Sequence, residues 1–486
     1  MKLDVLIPGA ASSEFSGIDV VGITADSRKV KPGFVFAALQ GVAKDGRDYI
    51  DGAIKSGAVA VLTDARPGEW SVPSIRVEEP RLTLAQAAAA FYPMQPGIVA
   101  AVTGTNGKSS TVDFLRQIWS SMGRKAASMG TLGAIGPSGS VDLGHTTPDP
   151  VAIHAMLDKL AREGVTHAAM EASSHGLSQY RLHGVKLAAG AFTNLTQDHL
   201  DYHVDFDDYR RAKMKLFSEL LPKGSSAVLN ADSPELEAFE TAAKAAGLKP
   251  FTVGWRGRDL RISEALPRGT GQDLVIQWGE GALNERKVHL PLIGEFQALN
   301  ALCAAGIAMS LGDDVNAVLD GLSQLKGVHG RLELVGQTAA KAPVFVDYAH
   351  TPDGLNVLLR AARPHVRGKL IVVFGCGGDR DATKRPIMGD VARRLADEVI
   401  VTDDNPRSED PTLIRAAIRK GAPDASEIGD RASAIIEGVR RLKAGDALLI
   451  AGKGHETGQI VKGVTIPFSD FDVAKAALDD VGGSHG

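Results

Sequence analysis

Residues 102–111 read VTGTNGKSST and are entered from the apolar run GIVAAVTG at 97–104. An apolar run that ends in a glycine turn and a Lys-Ser pair predicts a strand, a tight loop and a helix. Glycines at 104 and 107 let the backbone N–H groups near Gly104, Asn106, Gly107 and Lys108 converge on an anion. Lys108 would reach the outer phosphates of a chain, and Ser109 or Ser110 would face Mg²⁺. The strict pattern has glycine at position 102, where this chain has Val102. A turn that only joins strand to helix is therefore the competing reading until other residues weigh in.

Work outward from that loop gives an α/β chain. At 486 residues it is too long for one compact domain, and two or three are expected. Glycine punctuation after apolar runs fits strands alternating with helices. The breaks at QPGIVAAVTG and LKGVHGRLELV set expected domains at 1–97, 98–328 and 329–486. In the last of these, PVFVDYAHTPD, KLIVVFGCGGDRD, DEVIVTDDNPR and DALLIAGKGHE are four apolar runs ending in polar loops. In an open parallel sheet such loops lie at the carboxyl ends, where ligands bind.

The net charge of -4 comes from well-mixed acidic and basic residues, with no basic block. Nucleic acid is not an expected partner. Cys303 and Cys376 form no disulfide or metal spacing. The opening MKLDVLIPGA is too short for a signal peptide or membrane span, so a cytoplasmic protein away from the membrane is expected.

Two further segments favour the phosphate reading. Glu171 closes the apolar run THAAME and precedes the polar loop ASSHG, a placement suited to a Mg²⁺ carboxylate or to a simple turn cap. NLTQDHLDYH sets Asp198, His199, Asp201 and His203 within six residues. Without a cysteine, and beside a phosphate loop, a hard ion is preferred to zinc, with His199 as one ligand. The helix expected over 206–221 carries an apolar stripe of Phe206, Tyr209, Leu216 or Phe217, and Leu220, and Lys213 lies on it. Either Lys213 extends past the stripe to water, or it is a desolvated amine nucleophilic enough to take up CO₂.

Together these residues resemble the Mur ligase family. The motifs run nearly end to end: DSR at 26–28, TGTNGKSS at 103–110, TTPD at 146–149, EASSHGL at 171–177, NLTQDHLDYH at 194–203 and AKMKLF at 212–217. They continue with HGR at 329–331, DYAHTPD at 347–353, GGDRD at 377–381, DNPR at 404–407 and GKGHE at 452–456. The resemblance implies an N-terminal α/β uridine-nucleotide domain, a central P-loop-type ATPase domain with a mostly parallel sheet, and a C-terminal Rossmann-like domain. It implies an ATP-dependent ligase of peptidoglycan precursor synthesis, working through an acyl phosphate with Mg²⁺, and a monomer.

The resemblance also distributes roles. ATP contacts fall on Gly104, Thr105, Asn106, Gly107, Lys108, Ser109 and Ser110, and on Asn300, Arg331 and Asp347. Nucleotide-sugar contacts fall on Ser27, Val42, Ala43 and Lys44, and dipeptide contacts on Thr146, Thr147, Ser173, Gln179 and Arg181. Catalytic roles fall on Lys108, Glu171, His199 and Lys213, with Lys213 carbamylated and Mg²⁺ on Ser109, Glu171 and His199. Asp353 and His350 are open alternatives for a general base.

The DNPR form resembles that of members that add meso-2,6-diaminopimelate to UDP-N-acetylmuramoyl-L-alanyl-D-glutamate. That amino acid differs from lysine by a distal carboxylate, which a planar guanidinium matches bidentately. Arg407 and Arg380 suit the carboxylate. Asp404, Asn405 and Glu456 suit the ammonium, with Pro406 and Gly452 completing the pocket. A folylpolyglutamate synthase, a lysine-adding relative and a scaffold without turnover are the rivals.

Overall fold

The computed structural model describes residues 1–8, 17–41, 44–64, 70–196, 198, 202–279, 281 and 284–485. Val42, Ala43 and His199, three of the expected contacts, lie outside them. The described chain divides into two compact units: Met1–Asp259 with Cys303–Val318, and Leu260–Leu302 with Leu319–Gly486.

The first unit holds a four-stranded parallel sheet and a larger, mostly parallel one whose edge strands Gly133–Gly136 and Gly139–Val141 are antiparallel. Four short strands, Gly22–Thr24, Phe34–Ala37, Ala58–Thr63 and Ser74–Arg76, form the first. Helix Pro80–Phe91 follows, with proline in its first turn, where a missing N–H costs nothing. It packs on helix Pro150–Arg162, and Asp158 of that helix accepts the Met94 N–H at 3.1 Å.

The second sheet centres on strand Ile98–Thr103, flanked by Leu187–Phe192 and His167–Glu171. Ser226–Asn230 and Lys249–Gly254 extend it on one side and Ala126–Gly130 on the other, all parallel. These strands are buried on both faces and therefore read as unbroken apolar runs. Register aligns Thr103 with Phe192 and Val102 with Glu171. The loops that follow all three strands thus open at one edge.

Helix Phe206–Lys215 passes into a π turn, Leu216–Leu220. One helix over 206–221 was expected, with either Leu216 or Phe217 facing inward. The wider π turn buries both. Phe217 meets Phe239 edge-on, and Phe239 stacks on Phe192 with ring centroids 3.7 Å apart.

The second unit contains the antiparallel strands Leu260–Arg268, Gly271–Trp278 and Asn284–Leu290. The apolar run RKVHLPLIG predicts a strand to 294, but pairing stops at Leu290 because Pro291 has no N–H to donate. Its main sheet runs Ser426–Glu427, Glu398–Val401, Leu370–Phe374, Ala447–Ala451, Pro343–Asp347, Glu333–Gln337, Ser484–His485. The first five strands are parallel, and Asp347, Ala451, Phe374 and Val401 end at one level. The four polar loops expected at one edge are therefore brought there. Under that sheet Arg431 and Asp470, both fully buried, form a two-point ion pair at 2.7 Å.

Candidate active site

In the first unit, Gly104 (φ 149°) and Gly107 (φ 85°) hold the loop after strand Ile98–Thr103 in backbone conformations that disfavour any side chain. A Cβ at Gly104 would also lie 2.0 Å from Thr193 Oγ1. Helix Lys108–Ser121 then starts with its N-terminus open to the loop. The loop is pinned from the neighbouring strand end. Thr193 Oγ1 donates to the Asn106 carbonyl at 2.6 Å, Asn194 Oδ1 accepts the Asn106 N–H at 2.9 Å, and the Asn194 carbonyl accepts the Thr105 N–H at 2.8 Å.

Two lysines meet on one carbonyl. Lys108 Nζ donates to Gly104 O at 2.9 Å and to Thr105 O at 2.9 Å, and Lys213 Nζ donates to Gly104 O at 2.7 Å. Lys213 is 1% exposed, with its Nζ 4.5 Å from the Tyr209 ring centroid. Tyr209 in turn shares a 3.0 Å hydrogen bond with Thr105. Burial first, and then the charge of Lys108, push the Lys213 amine well below the usual lysine range, with Asp198 opposing them. Lys213 therefore does not extend past the stripe to water.

Glu171 is buried beside this loop. Its Oε1 accepts the Thr131 N–H at 2.8 Å, and its backbone carbonyl accepts the Thr147 hydroxyl at 2.9 Å. Only glycine fits at 130, since a Cβ there would sit 2.1 Å from Glu171 Oε1. Ser109 and Glu171 line one cavity of about 10 Å³, on the scale of a single water or small ion. Asp113 and Ser128 line it as well, among apolar Val112, Leu132 and Ile135, and hydroxyl and carboxylate oxygens are the donors a hard cation takes. Among the described residues no three His, Cys, Asp or Glu side chains form a group that could hold a metal ion.

The expected dipeptide contacts form one chain of bonds. Thr146 shares its hydroxyl bond with Thr131 at 2.9 Å, and Thr147 Oγ1 accepts the Ser173 N–H at 3.0 Å. Arg181 donates to the Thr147 carbonyl at 2.5 Å and to Gln179 Oε1 at 2.8 Å. Arg81 joins at Gln179 Oε1 (3.4 Å) and donates to the Gln40 carbonyl at 2.5 Å, and Tyr202 accepts from Gln179. Sequence reasoning missed Arg81, because nothing in its helix marks the face it presents. Ser27 opens a short 3₁₀ turn capped by Asp26, and Lys44 closes a turn by accepting the Gly41 N–H at 3.0 Å.

In the second unit, Asn300, Arg331 and Asp347 are linked. Asn300 donates to Gln297 Oε1, and Gln297 donates to the Arg331 carbonyl, each at 3.1 Å. Asp347 accepts the N–H groups of Leu332 and Ala349, each at 2.7 Å. Burial nonetheless raises its carboxyl above the ordinary aspartate value, against the nearby Arg331 charge and those two donors. Arg331 lies over the Tyr348 ring at 4.6 Å. The His455 ring packs against Tyr348 with centroids 5.1 Å apart, and burial and the Arg331 charge lower it to about 4.

The loops 377–381 and 404–409 are locked together. Asp379 (φ 53°) and Arg407 (φ 52°) both take left-handed backbone that costs a side-chain-bearing residue energy. The locking bonds hold them there. Gly378 N donates to Asn405 O at 2.9 Å, Arg407 Nη1 to Gly378 O at 2.8 Å, and Ser408 Oγ to Asp379 Oδ1 at 2.6 Å. A Cβ at Gly377 would come within 2.7 Å of Arg407 Nη1 and 3.9 Å of Arg380 Cγ, so both arginines flank that glycine. Pro406 and Gly452 are buried beside Asp404 and Asn405, and Asn405 Nδ2 donates to Glu456 Oε2 at 2.9 Å.

Comparison with known proteins matches the chain in three segments. Residues 19–92 match the description "Mur ligase family, catalytic domain", 102–308 "Mur ligase middle domain", and 330–454 "Mur ligase, glutamate ligase domain". The chain is 51% identical to a Bradyrhizobium diazoefficiens protein over 98% of this chain and 99% of the relative. It is 52% identical to one from Caulobacter vibrioides over 95% and 96%. Both relatives are named UDP-N-acetylmuramoyl-L-alanyl-D-glutamate--2,6-diaminopimelate ligase. A solved structure of a ligase with that name covers 99% of each chain at 32% identity and a TM-score of 0.75. A Mycobacterium tuberculosis folylpolyglutamate synthase shares the fold, at 18% identity, a TM-score of 0.62, and 82% and 93% coverage.

Proposed function

The chain belongs to the Mur ligase family, and from that premise we propose that it adds meso-2,6-diaminopimelate to UDP-N-acetylmuramoyl-L-alanyl-D-glutamate, at the cost of ATP. The observation that carries this reading is end-to-end similarity to relatives named for that reaction. The folate-type rival shares only the fold.

The three expected domains 1–97, 98–328 and 329–486 take the uridine nucleotide, ATP and the amino acid in that order. The central one works as a P-loop-type ATPase and the last as a Rossmann-like domain. The D-glutamyl carboxylate oxygen attacks the γ-phosphorus of ATP, and ADP leaves with the electrons of the broken P–O bond. The amine of diaminopimelate then attacks the acyl carbon. The tetrahedral intermediate loses a proton and expels phosphate, leaving the amide. Charge develops on phosphoryl oxygens, so positioning and positive charge matter more than an activated nucleophile.

Each assigned residue has a part in this. The N–H groups from Gly104 to Ser110 cradle the phosphates, and Lys108 swings from the Gly104 carbonyl to the transferring group. Ser109, Glu171 and His199 would hold Mg²⁺, whose charge would neutralise the phosphates; that Ser109 and Glu171 line one small cavity supports their part in that donor set. Lys213, buried and low in pKa, adds its free amine to CO₂ and releases one proton, becoming a carbamate that faces the phosphate loop. Asn300, Arg331 and Asp347 contact the nucleotide, and Arg181 with Thr146, Thr147, Ser173 and Gln179 orients the dipeptide. Ser27 and Lys44 hold the uridine end, beside Val42 and Ala43. Arg380 and Arg407 take the distal carboxylate of diaminopimelate. Among the described residues no helix is long and apolar enough to cross a membrane.

The test is phosphate release together with product mass, with the uridine substrate, ATP and Mg²⁺ present and either meso-diaminopimelate or L-lysine added. Release and mass gain with diaminopimelate alone is expected. A preference for lysine would overturn the role of Arg407, and silence with both would overturn the ligase reading.

A further inference from the structure

Lys453 lies in the loop after strand Ala447–Ala451 and is 0% exposed. None of the roles above uses it. Its Nζ donates to Glu456 Oε2 at 2.9 Å and to Asn405 Oδ1 at 3.1 Å, and stands 3.7 Å from Asp404 Oδ1. A buried ammonium is expensive unless its donors are met and its charge is balanced. Here three acceptors from two loops meet it, and all three belong to the residues assigned to the incoming amino acid.

The bonds settle orientation as well as charge. Asn405 Oδ1 accepts from both Lys453 and the Ile460 N–H (3.0 Å), so the amide cannot rotate without losing two donors. Its Nδ2 is therefore aimed at Glu456 Oε2, which also receives Lys453. Both bonds to Glu456 fall on one oxygen. Asp404 Oδ1 is buried without a hydrogen-bond partner, with Lys453 as its nearby cation. Two carboxylates facing one ammonium leave one negative charge to be matched. An amino acid's ammonium supplies that match, while Arg407, on the same loop as Asp404 and Asn405, supplies the countercharge for a carboxylate.

We infer that Lys453 is a positioning residue for the amino-acid substrate: it holds Asp404, Asn405 and Glu456 in the arrangement that receives a substrate ammonium. The inference rests on the functional reading above. It predicts a selective defect, because the partners of Lys453, namely Asp404, Asn405 and Glu456, all belong to the residues assigned to the amino acid.

The test compares Lys453→Met and Lys453→Gln with wild type in steady-state assays that vary meso-diaminopimelate, ATP and the uridine substrate separately. The KM for diaminopimelate should rise about 10- to 100-fold in the methionine variant, the scale of a lost charged buried partner. Glutamine, which keeps one donor, should recover part of that loss. The ATP and uridine-substrate KM values, and kcat at saturating diaminopimelate, should stay within about threefold. Calorimetric titration with meso-diaminopimelate should show the same weakening of binding. An unchanged diaminopimelate KM would overturn the inference, as would an equal fall in kcat with both variants. Wild-type protein without turnover on diaminopimelate would instead overturn the functional reading on which it rests.

Discussion

Lys213 and Lys453 are both long cationic side chains withdrawn from water, at 1% and 0% exposure, in different units of the molecule. Their surroundings differ in kind. Lys213 has a backbone carbonyl, the Tyr209 ring and a second lysine aimed at the same oxygen. Lys453 has two carboxylates and an amide oxygen. The first environment disfavours the charged amine; the second surrounds it with acceptors that balance its charge. Depth of burial therefore does not tell what a lysine does, and the partner set does.

The comparison breaks most visibly if Lys213 is replaced. Lys213→Ala should cost roughly 10²–10³-fold or more in turnover, the scale of a lost electrostatic contributor to the reacting phosphoryl group. A small carboxylate such as formate should restore part of it. Phosphate release at the wild-type rate without added carboxylate would refute the carbamate. Thermal unfolding should tell the opposite story: Lys213→Met should lie within about 1 kcal/mol of wild type, since the partner that its amine is seen to bond is the Gly104 carbonyl, which carries no full charge to be left bare.

A third buried cation sharpens the contrast by stability alone. Arg431→Met would leave Asp470 charged, unpaired and fully buried, at a cost of about 3–5 kcal/mol in urea unfolding. Lys453→Met should fall between the two, losing about 1–3 kcal/mol, because Glu456 keeps its Asn405 donor and is partly exposed. If Lys453→Met and Lys213→Met unfolded alike, the distinction drawn from their partners would fail.

The smallest effect is a pH dependence. Burial and Arg331 lower His455 from the ordinary histidine value of 6.5 to about 4. The unfolded chain therefore binds the proton more readily between those values. The contribution of neutral His455 is fully present above about pH 6.5 and is lost as pH falls toward about 4. His455→Gln should flatten that part of a stability-against-pH curve measured by thermal melting, and an unchanged slope would place the titration elsewhere.

Much of this was legible in one dimension because it is local. The glycine loop at 104–107, the strands that end at Glu171, Asp347 and Val401, and the four polar loops of the last sheet follow from apolar runs and turn chemistry a few residues long. Two local readings changed on folding. Leu216 and Phe217 looked like alternatives for one inward position, and a π turn admits both. Strand pairing ended at Leu290, short of the apolar run, because proline interrupts the ladder.

The residues that were missed share a physical trait: their partners are far away in sequence. Arg81 meets Gln179, Asn194 meets Asn106, and Lys453 meets Asn405, and no spacing rule relates members of such pairs. The sequence by itself determined the order of elements, the phosphate loop and the chemical types available at each strand end. Only the tertiary structure decided that Lys213, 109 positions away, reaches the Gly104 carbonyl, and that Lys453 is sealed among carboxylates. Charge state and orientation depend on desolvation and on which groups are brought within hydrogen-bond reach, and those are properties of packing.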